Sequence, residues 1–161
     1  MKKATTLLLL WVCLMIQGCG ESECPLTTLS FARFDFLDSE THSAVGITSG
    51  ATVTGSIVSG DSILTDTLYN KAESNMVLPL SYTNKTTYVI HYTETISDTI
   101  QLTHKNTPFL KDIECGTMMF YQIEGVRYTT HALDSVVIIN PNINNEEKKN
   151  FYIYFSVDDA E

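Results

Sequence analysis

Beyond residue 28, hydrophobic and polar positions alternate with a period of two over most of the chain. Across residues 29–37, Ala32, Phe34 and Phe36 fall on one side, with Arg33 and Asp35 on the other, which predicts a half-buried strand. Gly, Ser and Thr dominate residues 41–60; within them, 45–50 reads as loop and 51–58 as strand. Ser59-Gly60-Asp61 marks a turn into a strand at 62–69, closing a hairpin. The short apolar run 76–80 contains Pro79, which donates no ladder hydrogen bond and suits an edge or a strand end. Residues 86–93 and 99–104 predict another hairpin, with Tyr88, Ile90 and Tyr92 on one face and Ile100 and Leu102 packing from its second arm. Strands at 118–123 and 126–130 flank Glu124-Gly125, read as a two-residue turn. The stretch 133–139 is apolar through Val136, Val137, Ile138 and Ile139, which predicts burial on both faces. A polar loop at 141–150 leads to a last strand, 151–157. There Phe151, Ile153 and Phe155 face one way, and Tyr152 and Tyr154 the other.

Eight or nine short strands with no strong helical period predict an all-β fold. The expectation is an antiparallel β-sandwich, immunoglobulin-like or transthyretin-like, with a small β-barrel as the alternative. Thr, Val, Ile and the aromatic residues make up more than a third of the chain, which agrees. At 43% hydrophobic and 18% charged, the composition is that of neither a disordered chain nor a multi-span membrane protein.

Lys2 and Lys3 precede an apolar run, residues 4–16, that is too short at 1.5 Å per residue to cross a hydrocarbon core of about 30 Å. It reads as a secretory leader spanning residues 1–18. Ile16-Gln17-Gly18-Cys19 resembles the bacterial lipobox: aliphatic at −3, small at −1, then the cysteine that is acylated. Val12 before Cys13 is too bulky for the same cut. The alternative is an ordinary secretory signal with an incidental cysteine. Acylation of Cys19 with diacylglycerol and palmitate makes membrane lipid the first expected partner, at roughly 0.8 kcal/mol per buried methylene. Gly20 is not the Asp that marks inner-membrane retention in some proteobacteria, so the expected address is the outer membrane, on its periplasmic or cell-surface face. With Lys2 and Lys3 gone, 8 basic residues face 19 acidic ones, which excludes a basic nucleic-acid footprint. The expected organisation is a tether at 19–28, a sandwich domain at 29–157 and an acidic tail at 158–161. The tail's carboxylates are read as solvated rather than calcium-binding.

Removing Cys13 with the leader and committing Cys19 to lipid leaves Cys24 and Cys115 in an oxidising compartment. A disulfide between them is expected, with two separately buried thiols as the alternative. Neither has a second Cys or a His at zinc-ligand spacing.

With the lipobox, Cys24-Pro25, Phe34-Asp35-Phe36, Glu114-Cys115-Gly116 and the closing strand at 151–155 in view, the chain resembles a family of small Bacteroidota outer-membrane lipoproteins of unknown function. The resemblance implies an envelope location and a β-sandwich, and supplies no catalytic residue. Four triplets are similar to the Bacteroidota O-glycosylation pattern of Asp, a hydroxyl residue and an aliphatic one, and they nominate Ser62, Thr67, Thr99 and Ser135.

Chemistry-bearing motifs are scarce. The chain has no Gly-x-Ser-x-Gly, His-Glu-x-x-His, Walker or dinucleotide motif. His91 and His104 stand on opposite arms of one expected hairpin, an arrangement that could make them neighbours; His42 and His131 complete the histidines. No third ligand has a spacing that demands a metal, and no metal or cofactor is expected. Tyr152 and Tyr154 are a candidate ligand platform, since an aromatic surface stacks on the C–H faces of sugars; the alternative is that they cover the fold. The expected function is therefore a non-catalytic, envelope-anchored structural or protein-interaction module with an envelope protein as partner. The alternatives are a surface glycan-binding accessory lipoprotein and, third, an unrecognised hydrolase.

Overall fold

The computed structural model describes residues 30–46, 52–59, 62–70, 73–113 and 115–156. The leader, Cys19, Cys24, the tether and the acidic tail lie outside them. Among the described residues ten strands account for the regular structure: β1 (Phe31–Asp38), β2 (Thr52–Ser59), β3 (Ser62–Asn70), β4 (Asn75–Pro79), β5 (Lys85–His91), β6 (Ser97–Asp112), β7 (Gly116–Tyr128), β8 (Ser135–Ile138), β9 (Asn142–Ile143) and β10 (Phe151–Phe155). They form a four-stranded sheet in the order β4-β1-β10-β8 and a six-stranded sheet in the order β3-β2-β5-β6-β7-β9. The two sheets face each other, and at their margins β7 approaches β8 and β3 approaches β4, so the sandwich closes toward a barrel.

Alternation explains the core. In β1 every second residue is buried, and Ala32, Phe34 and Phe36 have no exposed surface. They meet Met76, Leu78, Phe151 and Ile153 of their own sheet, and Tyr88, Ile90, Ile100, Leu102, Tyr121 and Ile123 from the other. Pro79 sits at the end of β4, an edge strand, where its missing N–H costs the ladder nothing.

Three expectations give way. Glu124-Gly125 is not a turn. Thr103 pairs with Gly125 and His104 with Ile123, so Glu124 is the extra residue of a β-bulge inside one continuous strand. The turn lies further back, between Asp112 and Gly116, where Gly116 takes a φ of 74°. Second, β8 is not buried on both faces. Val136 points into the core, while Val137 (43% exposed) shares the sheet's outward face with Tyr152, and Ile139 (40%), just past the strand, is likewise exposed. Third, the ladders are antiparallel except that β1 and β10 run parallel, pairing Phe34 with Phe151 and Leu37 with Tyr154. The first and last strands are joined through the whole domain rather than by a hairpin, so no tight turn imposes an antiparallel sense on them.

Candidate functional site

The outward face of the four-stranded sheet brings together residues that the register places in rows. Arg33 lies opposite Val77; Asp35, Tyr152 and Val137 form the next row, and Leu37, Tyr154 and Ser135 the one after. The loop before β10 folds back over one end of this face. Glu147 binds the Arg33 guanidinium at 3.2 Å, and Lys149 pairs with the Asp35 carboxylate. The bond to Asp35 raises the affinity of the exposed Lys149 ammonium for its proton. Together with Asn75 and Val77, these four charged residues line a groove of about 380 Å³. Asn150 anchors the loop. Its buried side chain accepts the Arg33 N–H and donates to the Asn140 and Asn142 carbonyls.

Tyr152 and Tyr154 are half-buried here, with ring centroids 6.4 Å apart and planes crossed at 80°. The His42 ring meets Tyr154 edge-on at 5.5 Å. Crossed rings do not make one flat stacking surface; they present an edge and a face side by side.

Two polar constellations lie inside the sandwich, and neither was legible as such. In the first, Thr86 Oγ1 and His104 Nε2 are 2.8 Å apart, and His104 Nδ1 is 2.6 Å from Asn106 Oδ1. The order hydroxyl, imidazole, amide is that of a nucleophilic triad. Its surroundings are not. Thr86 and His104 are each 1% exposed, the Thr86 oxygen accepts the Ser81 N–H, and Asn106 donates to the Tyr82 and Thr83 carbonyls. Burial lowers the proton affinity of His104, with the Asn106 hydrogen bond and Glu124 opposing it. The network therefore clamps the β4–β5 connection onto β6 with a neutral imidazole. Only the two-residue spacing of His104 and Asn106, which places them on one strand face, hinted at it.

In the second, the fully buried Asp98 accepts from the Thr129 hydroxyl (2.7 Å), the His131 N–H (2.7 Å) and ring (3.1 Å), and the Ala132 (2.8 Å) and Leu133 (3.0 Å) N–H groups. Burial pushes its carboxyl up, and these donors outweigh that and hold it below its ordinary value.

The remaining candidates scatter. His91 pairs with Ser97 at one end of the β5–β6 ladder, whereas His104 lies past the Lys85–Thr103 pair at the other, so the two histidines are not neighbours. Among the described residues no group of three or more His, Cys, Asp or Glu could hold a metal ion. Thr99 is half-buried between the fully buried Asp98 and Ile100. Ser135 opens β8 beside the exposed Asp134, and Ser62 and Thr67 stand on β3, their side chains outside the described ones.

The β6–β7 hairpin carries a feature that period-two reading did not single out. Past Asn106 and Tyr121 the two strands pair with each other alone. Toward the turn Phe109 (41%), Leu110 (57%) and Ile113 (89%) are exposed, and the Phe109 ring stacks on Phe120 at 4.7 Å. Cys115 lies in that turn.

Fold and surface define an all-β, two-sheet domain with a charged and aromatic outer face. The chain belongs to a family of unknown function, DUF6452, whose model matches residues 50–155, about two thirds of its length. The match spans Glu114-Cys115-Gly116 and the closing strand, and leaves Cys19, Cys24-Pro25 and Phe34-Asp35-Phe36 outside it. No curated protein and no solved structure matches the chain.

Proposed function

We propose that the mature protein is an outer-membrane lipoprotein of the Bacteroidota type, acylated at Cys19, whose sandwich is a non-catalytic module that docks another envelope protein. The lipobox supports the anchor. A disulfide from Cys24 to Cys115 would tie the tether to the β6–β7 turn, since these two cysteines remain once Cys13 leaves with the leader and Cys19 carries lipid. The internal engagement of Thr86, His104 and Asn106 supports a non-catalytic reading of the one triad-like chain among the described residues.

The observation that carries the docking reading is the make-up of the four-stranded sheet's outer face. Tyrosines, an arginine and exposed valines alternate with ion pairs there, the mixture of anchors and polar rim found in non-obligate interfaces. The test is affinity capture of the acylated protein from crosslinked membranes, beside the Tyr152→Ala/Tyr154→Ala variant. A protein captured by the wild type and lost from the variant is the expected result. Equal capture by both removes the face from the reading, and glycan-array binding lost in the same variant replaces it with the glycan-binding alternative.

A further inference from the structure

We infer that the tip of the β6–β7 hairpin sits in the headgroup region of the bilayer that receives the acyl chains, with Phe109, Leu110 and Ile113 as its apolar contacts. This rests on the proposed acylation of Cys19 and on the Cys24–Cys115 bond. Three observations lead to it.

The first is shape. Phe109 and Leu110 are adjacent in a strand and therefore point to opposite faces of the ribbon, while Ile113 lies in the turn. Exposed apolar side chains thus stand on both faces and in the turn of a two-stranded projection, interspersed along the chain with Lys111, Asp112 and Glu114, rather than paving one side of it. A flat protein partner would cover one face and leave the other wet; a fluid apolar phase covers both.

The second is exposure. Ile113 is 89% exposed, the highest value among the described large hydrophobic residues, and it shares the tip with Leu110 at 57%. Exposed apolar clusters of this kind mark surfaces that are covered in use.

The third is reach. Cys24 is five positions along the chain from Cys19, and an extended chain covers at most about 3.6 Å per residue, so the acylated cysteine lies within roughly 18 Å of Cys24. A disulfide adds about 6 Å between Cα atoms. Cys115 is two residues from Ile113, so the tip cannot move far from the membrane surface.

The chain provides its own reporter background. Its one tryptophan, Trp11, lies in the leader, so the mature protein has none. An Ile113→Trp variant of the acylated protein, in phosphatidylcholine–phosphatidylethanolamine vesicles with brominated acyl chains, is compared with Val137→Trp on the four-stranded sheet. The expected result is roughly twofold quenching of the position-113 indole and little at 137, because side chains inserted about 5–10 Å reach the acyl boundary. Equal emission at both positions, in protein that floats with the vesicles and yields a Cys24–Cys115 peptide, overturns the inference and leaves the anchoring reading standing. Protein that does not float, with Cys19 unmodified by mass spectrometry, overturns both. Shielding of the position-113 indole from acrylamide by added envelope proteins, without bromine quenching, assigns the tip to a protein partner and likewise overturns it. Leu110→Trp repeats the measurement from the other face of the ribbon.

Discussion

Phe34 and Phe151 are paired residues of the parallel β1–β10 ladder, and their rings stack at 4.6 Å and 14° in the centre of the core. Tyr88 from the facing sheet closes on Phe34 edge-on at 5.9 Å. One aromatic cluster thus joins the chain's first strand to its last and both to the second sheet. A parallel pair with no hairpin to hold it depends on such side-chain contacts.

Phe34→Ala or Phe151→Ala is expected to destabilise the fold by about 3–5 kcal/mol, since a fully buried ring leaves a cavity that both sheets line. Urea unfolding of each single variant and of the double variant measures it. Because the rings touch, the double variant should lose less than the two single losses combined.

Asp98→Asn is expected to destabilise by about 2–3 kcal/mol, because an amide NH₂ replaces one oxygen in a ring of donors. The folded-state pKa of Asp98 is lowered, so its contribution is present above the unfolded carboxylate value and disappears as pH falls through the folded one. Unfolding midpoints below about pH 4 should therefore be flatter in the variant than in the wild type.

His104 gives the opposite kind of group, a base whose folded-state pKa lies below its unfolded value. Its neutral form is the one the fold accommodates, so stability is complete above the unfolded value of about 6.5 and falls as pH drops from there toward the folded pKa. His104→Gln keeps a hydrogen-bonding side chain and removes the titration. Chemical denaturation at pH 7.5 and pH 5 should show a smaller fall for the variant, from a lower starting stability.

Gly116 and Gly125 should respond differently to alanine. Gly116 has a φ of 74°, so Gly116→Ala is expected to cost about 1 kcal/mol. Gly125 has an ordinary φ and nothing within 4 Å of an added Cβ, so Gly125→Ala should be close to neutral. Comparable large losses at both would contradict the assignment of Glu124-Gly125 to a bulge rather than a turn.

Much of the architecture follows from patterns a few residues long. The alternation in β1 and β10 names Phe34, Phe36, Phe151 and Ile153 as core and sets Tyr152 and Tyr154 on the opposite face, as the structure does. Pro79 marks its strand as an edge. These are local properties, because side chains two apart share a face whatever the strand later pairs with. The outer-face groove was not legible, since it joins Arg33 and Asp35 to Glu147 and Lys149 across more than a hundred residues.

Tertiary structure alone decided who the neighbours are. Glu124-Gly125 has the composition of a turn, and only the partner strand, which offers a continuous ladder on both sides, makes it a bulge. Val136-Val137-Ile138-Ile139 reads as doubly buried, and only the alternation of β8 against a sheet with one packed face sets Val137 outward beside Tyr152. Asp98 sits in a run that, read alone, marks a hydroxyl for modification; its burial against residues 129–133 came with the fold. Strand periodicity is written in adjacent residues, whereas edge, register and burial of charge depend on contacts between segments distant in the chain, which no short window contains.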